Sequence, residues 1–204
     1  MLKPEAKEIL IDNYRRLFLD HGPGPEATQN SAEGQLMRFN QLTKLADLSG
    51  SKVLDLGCGI ADFYPVLSEK FPGLDYTGID IVPEMVDYAR NKYPAAKFQC
   101  RDVLEDPLGE DFDYVLICGM FNNAIPGAIE FLKSMTLAAF QRARKGLAFN
   151  FISDRVNFVD DCMAYHDPAN ILVYCIDQLS RKTTMCHHYE RCDVSVFVYR
   201  QVTQ

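Results

Sequence analysis

The residues best suited to chemistry lie together in Val53-Leu-Asp-Leu-Gly-Cys-Gly-Ile-Ala-Asp-Phe63, an apolar run passing into a glycine turn and then into a helical pattern. Gly57 and Gly59, with Cys58 between them, permit a tight turn and let a ligand approach the backbone where a Cβ would intrude. Such a loop suits a dinucleotide, yet Asp62 stands where the third glycine of Gly-x-Gly-x-x-Gly belongs, and Asp55 adds a carboxylate at the strand end. Two carboxylates repel a pyrophosphate at short range and favour a cationic ligand. A nicotinamide-dependent oxidoreductase is the competing reading of the loop, disfavoured by both features. Asp62 also stands where the N-cap of the following helix is expected.

The elements that must hold this loop follow from the pattern of the chain. From Ser51 onward, β-rich runs at 52–56, 75–79, 97–101, 113–118 and 146–152 alternate with helical runs near 62–70, 83–93 and 125–143. That alternation specifies βαβ units and a mainly parallel sheet with helices on both faces. A helix at 168–180 precedes strands at 182–189 and 193–200, joined only by Glu190-Arg-Cys192. Since a parallel crossover needs about a dozen residues, this pair is antiparallel. Residues 1–50 read as a helical cap, with helical spacing over 5–20, a Gly-Pro break at 22–25 and a second helix near 31–47.

With 204 residues, 48% hydrophobic and 24% charged, the chain reads as one globular unit, a cap on a 51–204 core. Its net charge of −7 lacks the basic footprint of a nucleic-acid or anionic-membrane binder, which leaves a small molecule as the expected partner. The N-terminal sequence carries no secretory pattern and no apolar run is long enough for a membrane span, so a cytoplasmic location is expected. Seven scattered cysteines read as free, buried thiols.

Val53-Leu-Asp-Leu-Gly-Cys-Gly59 resembles motif I of the class I S-adenosylmethionine-dependent methyltransferases. The likeness continues through Tyr76-Thr-Gly-Ile-Asp80, Gln99-Cys-Arg-Asp-Val103 and Phe112-Asp-Tyr-Val-Leu-Ile-Cys-Gly119, in family order and spacing over about residues 51–152. It implies an α/β Rossmann-like sheet of order 3-2-1-4-5-7-6 with an antiparallel strand 7, which also explains the terminal hairpin. It further implies S-adenosyl-L-methionine as cofactor, with Asp55, Gly57, Cys58 and Gly59 under its amino-acid end. Asp80 would accept from the ribose hydroxyls, Ile81 beside it would also contact the cofactor, and Asp102 and Val103 would hold the adenine. Cys118 and Gly119 would lie beside the transferable methyl. Arg38 in the cap matches an arginine that pairs with the cofactor carboxylate in related small-molecule methyltransferases, and Tyr14 is a candidate to close the same pocket.

Acceptor-side candidates rest on weaker patterns. Asn122 and Asn123 follow the fourth strand and depart from the Asp/Asn-Pro-Pro-Tyr/Phe signature of the adenine and glutamine amino-methyltransferases. Tyr165 and His166 lie in Asp160-Asp-Cys-Met-Ala-Tyr-His-Asp-Pro168, a region that overhangs the substrate pocket in this fold. His166 is a candidate general base for a hydroxyl acceptor, since imidazole titrates near neutrality. The plainer alternative is a loop before a helix capped by Asp167 ahead of Pro168. His187 and His188, adjacent on the sixth strand, would point to opposite faces and cannot readily share a metal with Cys186 and Cys192, so no metal is expected. The expected activity is methyl transfer to an O or N atom of a small molecule; a non-catalytic, regulatory S-adenosylmethionine-binding protein is the alternative.

Overall fold

The alternation of apolar residues along the strands decides which helices each face of the sheet receives. In a computed structural model, which describes residues 4–28, 31–188 and 192–201, seven strands form one sheet: β1 (Lys52–Leu56), β2 (Asp75–Asp80), β3 (Lys97–Cys100), β4 (Phe112–Ile117), β5 (Ala143–Ile152), β6 (Thr183–Cys186) and β7 (Asp193–Tyr199). Their order is β3-β2-β1-β4-β5-β7-β6, with β7 antiparallel to both β5 and β6. The remaining pairs are parallel.

Successive strand residues point to opposite faces. Leu54 and Leu56 of β1, Val115 and Ile117 of β4, Phe149 and Phe151 of β5 and Val194 and Val196 of β7 share one core. Helix α5 (Ala128–Arg142) contributes Leu132, Met135 and Phe140 to it, and α6 (Pro168–Tyr174) contributes Ile171. The intervening residues Val53, Leu116, Ala148 and Phe197 face the other core. There they meet Phe39 and Leu42 of α2 (Ala32–Leu42), Phe63 and Leu67 of α3 (Phe63–Lys70) and Val86 and Ala89 of α4 (Pro83–Lys92).

Helix α1 (Pro4–His21) is strapped across the loops that follow the parallel strands. Lys7 Nζ lies 2.7 Å from Asp102 and 2.7 Å from Glu105, Arg15 Nε donates to Glu84 at 2.7 Å, and the Phe18 and Tyr88 rings meet edge to face at 5.7 Å. Individually, such half-exposed pairs contribute little. Spread over about three turns, they fix where the helix lies.

Several sequence expectations are corrected. The sixth strand ends at Cys186, so His187 and His188 lie beyond the ladder and do not alternate across it; Glu190 and Arg191 fall outside the described residues. The last helix leaves α geometry after Tyr174 and continues as a wider π turn over Cys175–Leu179. Cap helix α2 stops at Leu42, followed by a short 3-10 turn at Thr43–Leu45. All seven cysteines are free, but only Cys58 and Cys175 are buried; Cys100 and Cys162 are exposed. Among the described residues no helix is long and apolar enough to cross a membrane, and no three His, Cys, Asp or Glu side chains gather for a metal ion.

Candidate functional site

A parallel sheet directs its strand ends toward one edge, and a cleft opens there beneath α1. Its floor is Asp55 to Gly59 after β1, Asp80 to Val82 after β2, Arg101 to Leu104 after β3 and Cys118 to Met120 after β4. Its roof and sides are Lys7, Leu10 and Tyr14 of α1, Gln35, Arg38 and Phe39 of α2, and Phe131 and Met135 of α5. Arg38, Asp55, Gly57, Cys58, Gly59, Asp80, Ile81, Asp102, Val103, Cys118 and Gly119 all line this cavity, and so does Tyr14.

The glycine turn is built by backbone geometry that side chains rarely adopt: φ is +79° at Gly57 and +52° at Gly59. A Cβ on Gly57 would stand 2.5 Å from the Met120 methyl. The Gly57 and Cys58 N–H groups donate to the Ile79 carbonyl at 2.7 and 3.1 Å, which pins the turn to the end of β2. Asp80 then joins both loops: its Oδ2 accepts from the Gly59 N–H at 2.8 Å and its Oδ1 from the Val82 N–H at 2.9 Å. Asp102 makes the equivalent local turn, accepting from the Leu104 N–H at 3.0 Å. Each carboxylate is thereby fixed by its own following backbone, and a carboxylate with about four acceptor positions retains capacity for a ligand.

Asp55 is buried and accepts from the Tyr76 hydroxyl at 2.7 Å. Burial pushes its pKa up to about 7, opposed by the Tyr76 hydrogen bond and reinforced by the Asp80 charge. Burial also raises Asp80, against the pull of its backbone donors. A cation on this floor would favour the ionised form of both acids, against the burial that holds them toward the neutral form. Asp62 lines the same cavity; its side chain makes no capping hydrogen bond and lies 3.5 Å from Lys92, a correction to its expected role as a cap.

These four loops stand in the same order as the motifs, and residues 53–139 match the family model described as a methyltransferase domain. The chain carries a methyltransferase domain over those residues. It is 31% identical over 120 residues to the malonyl-acyl-carrier-protein O-methyltransferase of Acetivibrio thermocellus, covering 53% of this chain and 42% of that protein. It is 34% identical over 95 residues to the magnesium-protoporphyrin O-methyltransferase of Rhodobacter capsulatus, covering 43% of this chain and 41% of that protein. The matches thus span less than half of either relative's length. The fold superposes on the magnesium protoporphyrin IX methyltransferase of Synechocystis with bound S-adenosylmethionine at a TM-score of 0.70, with 20% identity over 96% of this chain and 97% of that one.

The acceptor-side candidates do not converge on the cavity. Asn123 is the nearest in effect: its Nδ2 donates to the Tyr14 hydroxyl at 2.6 Å and its Oδ1 accepts from Asn13 at 3.4 Å, tying the loop after β4 to α1. Asn122 has a buried Oδ1 with no hydrogen-bond partner. Tyr165 accepts from the Asp160 N–H at 2.9 Å and lines surface grooves beside α5 and α6. His166 lines those same grooves; the residue is 5% exposed, its ring packs edge-on against Phe151 at 5.9 Å, and its Nε2 is 3.2 Å from the Phe121 carbonyl. The overhang expected over the pocket lies beside it instead, because residues 163–166 pair with the segments following β4 and β5. Asp167 caps α6 by accepting from the Ala169 N–H at 3.1 Å.

Two residues that join walls of the cleft were not anticipated. Asn150, flanked by Phe149 and Phe151 on β5, and Asp193, which opens β7, are both buried. The available signal was a single polar residue inside an apolar strand, as in Ala148-Phe-Asn-Phe-Ile152.

Proposed function

We propose that the chain binds S-adenosylmethionine in the cleft under α1 and transfers its methyl group to an O or N atom of a small molecule. The observation that carries this is the convergence of the acids and glycines ending β1 to β4 on one cavity. The residues fit the group: glycine backbone where a side chain would fill the cradle, a doubly anchored carboxylate at Asp80 suited to a vicinal diol, and a buried acidic floor suited to a cation. Arg38, at the cavity wall, has the fork that pairs with a carboxylate. Asp102 and Val103 offer an acceptor and an apolar face for an adenine.

The bound group supplies a methyl on a cationic sulfur with a neutral leaving sulfide, displaced in line. The chain's task is to orient the acceptor and exclude water, so most of the acceleration comes from positioning in a desolvated pocket. Leu10, Met120, Phe131 and Met135 provide an apolar lining for that purpose. The relatives named above are O-methyltransferases, which favours oxygen over nitrogen as the acceptor atom.

The test is calorimetric titration with S-adenosylmethionine and S-adenosylhomocysteine beside Asp80→Ala, followed by transfer of labelled methyl to small hydroxyl, carboxyl and amine compounds. Binding lost in the variant supports the cofactor site, and label transfer supports the reaction. A folded chain that binds neither nucleoside overturns the reading.

A further inference from the structure

One buried carboxylate joins two walls of the cleft. Asp193 opens β7, is 1% exposed, and follows Cys192, whose φ is +60°. Its Oδ2 accepts from Arg38 Nε at 2.9 Å, and its Oδ1 accepts from Asn150 Nδ2 at 3.1 Å. Asn150, fully buried on β5, accepts with its Oδ1 from the Gly119 N–H at 2.8 Å. A backbone N–H can only donate and a carboxylate can only accept, so the Asn150 amide is oriented at both ends. Gly119, with φ at +73°, is the turn after β4, and both it and Arg38 line the cavity.

We infer that Asp193 is a positioning residue that sets the cleft's selectivity for a ligand carrying a carboxylate, by holding the Arg38 guanidinium on one wall and, through Asn150, the Gly119 turn on the other. A guanidinium on a flexible stem loses rotamer freedom when it binds an anion, and fixing it beforehand removes that cost from binding. A buried ion pair is otherwise poor value for stability, since apolar residues of similar size often serve as well. The inference rests on the reading of the cleft as an S-adenosylmethionine site, whose amino-acid end supplies the carboxylate.

The experiment compares S-adenosylhomocysteine, which has that carboxylate, with 5′-methylthioadenosine, which lacks the amino-acid end, by calorimetry on wild type and Asp193→Asn. The variant is expected to lose about tenfold or more in affinity for S-adenosylhomocysteine while methylthioadenosine changes by less than about twofold, the size of loss that goes with one charge-assisted contact. A merely structural role would weaken both nucleosides alike. Asn150→Ser, which keeps the Arg38–Asp193 pair and cuts its link to Gly119, serves where Asp193→Asn does not fold, with a smaller loss in the same direction. If wild type prefers S-adenosylhomocysteine and a folded variant keeps that preference, the inference fails alone. If wild type binds neither nucleoside, the reading of the cleft fails and takes the inference with it.

Discussion

The floor and the overhang of this molecule were built by different kinds of determinant. On the floor, Asp80 ends β2 and Asp102 lies two residues past β3, and each accepts from the backbone N–H two residues on, that of Val82 and that of Leu104. In the overhang, from Asn122 to Asp167, side chains are placed by partners far along the chain: Asn123 by Tyr14, His166 by the Phe121 carbonyl. Local determination survives translation from sequence to structure. Placement by distant contacts does not, because the loop path must be known first.

The largest effect expected from breaking this contrast is on the floor. Asp80→Ala removes the acceptor proposed for a diol and also releases the Gly59 and Val82 N–H groups. Affinity for S-adenosylhomocysteine should fall by roughly 100-fold or more, since a hydrogen bond to a charged group contributes about 1.5–3 kcal/mol and the turn loses its anchor as well. Titration calorimetry reads it. A loss under about threefold would mean that the floor does not hold the nucleoside through Asp80.

Legibility follows the same line. The glycine turn and the terminal hairpin could be read from short spacing and period-two alternation, whereas the strand order came with the family resemblance. The Arg38–Asp193–Asn150 chain could not: its members lie on α2, β7 and β5, and only the folded sheet brings them together. Asp62 was read by its place before a helix, yet it faces Lys92 because backbone geometry at Asp62 is already helical, which turns its side chain away from a cap. His187 and His188 were placed on a strand that stops at Cys186.

A smaller effect separates the two acids of the floor. Asp55 holds its proton up to about pH 7 in the folded chain, against 3.8 for its ordinary value. An acid whose proton is held more tightly in the folded state lends stability that is complete below the unfolded value and is gone once the pH has risen past the folded one. Lowering the pH from 8 to 5 should therefore raise the stability of wild type relative to Asp55→Asn by about 1–3 kcal/mol, read from urea unfolding at each pH. His166, whose proton affinity burial lowers, has the opposite trend but contributes equally to both chains and cancels. A difference independent of pH would show that Asp55 is already ionised at pH 5.

The roof should respond more weakly again. Lys7→Met removes the bridges to Asp102 and Glu105, both partly solvated, and leaves the other straps of α1 in place. S-adenosylhomocysteine should dissociate a fewfold faster in stopped flow, with stability changed by less than about 1 kcal/mol. An unchanged rate would mean that α1 covers the cleft without governing escape from it.

The smallest effect on turnover is expected at His166, the residue the sequence offered as a base. Its ring is neutral at pH 7, since burial lowers its proton affinity, and in that respect it has the right form to accept a proton. Geometry decides against it. A general base must reach the proton it removes, directly or through one water, and His166 lies among the residues of the α5–α6 grooves, with none of its contacts shared with the cleft beneath α1. His166→Phe keeps a ring against Phe151 and strands the Phe121 carbonyl, a cost of about 1–3 kcal/mol of stability. With an acceptor in hand, kcat should stay within about twofold and its pH profile should not move. A loss of 100-fold or more in a folded variant, the scale of a missing base, would put the acceptor beside α6 and reverse the contrast between floor and overhang.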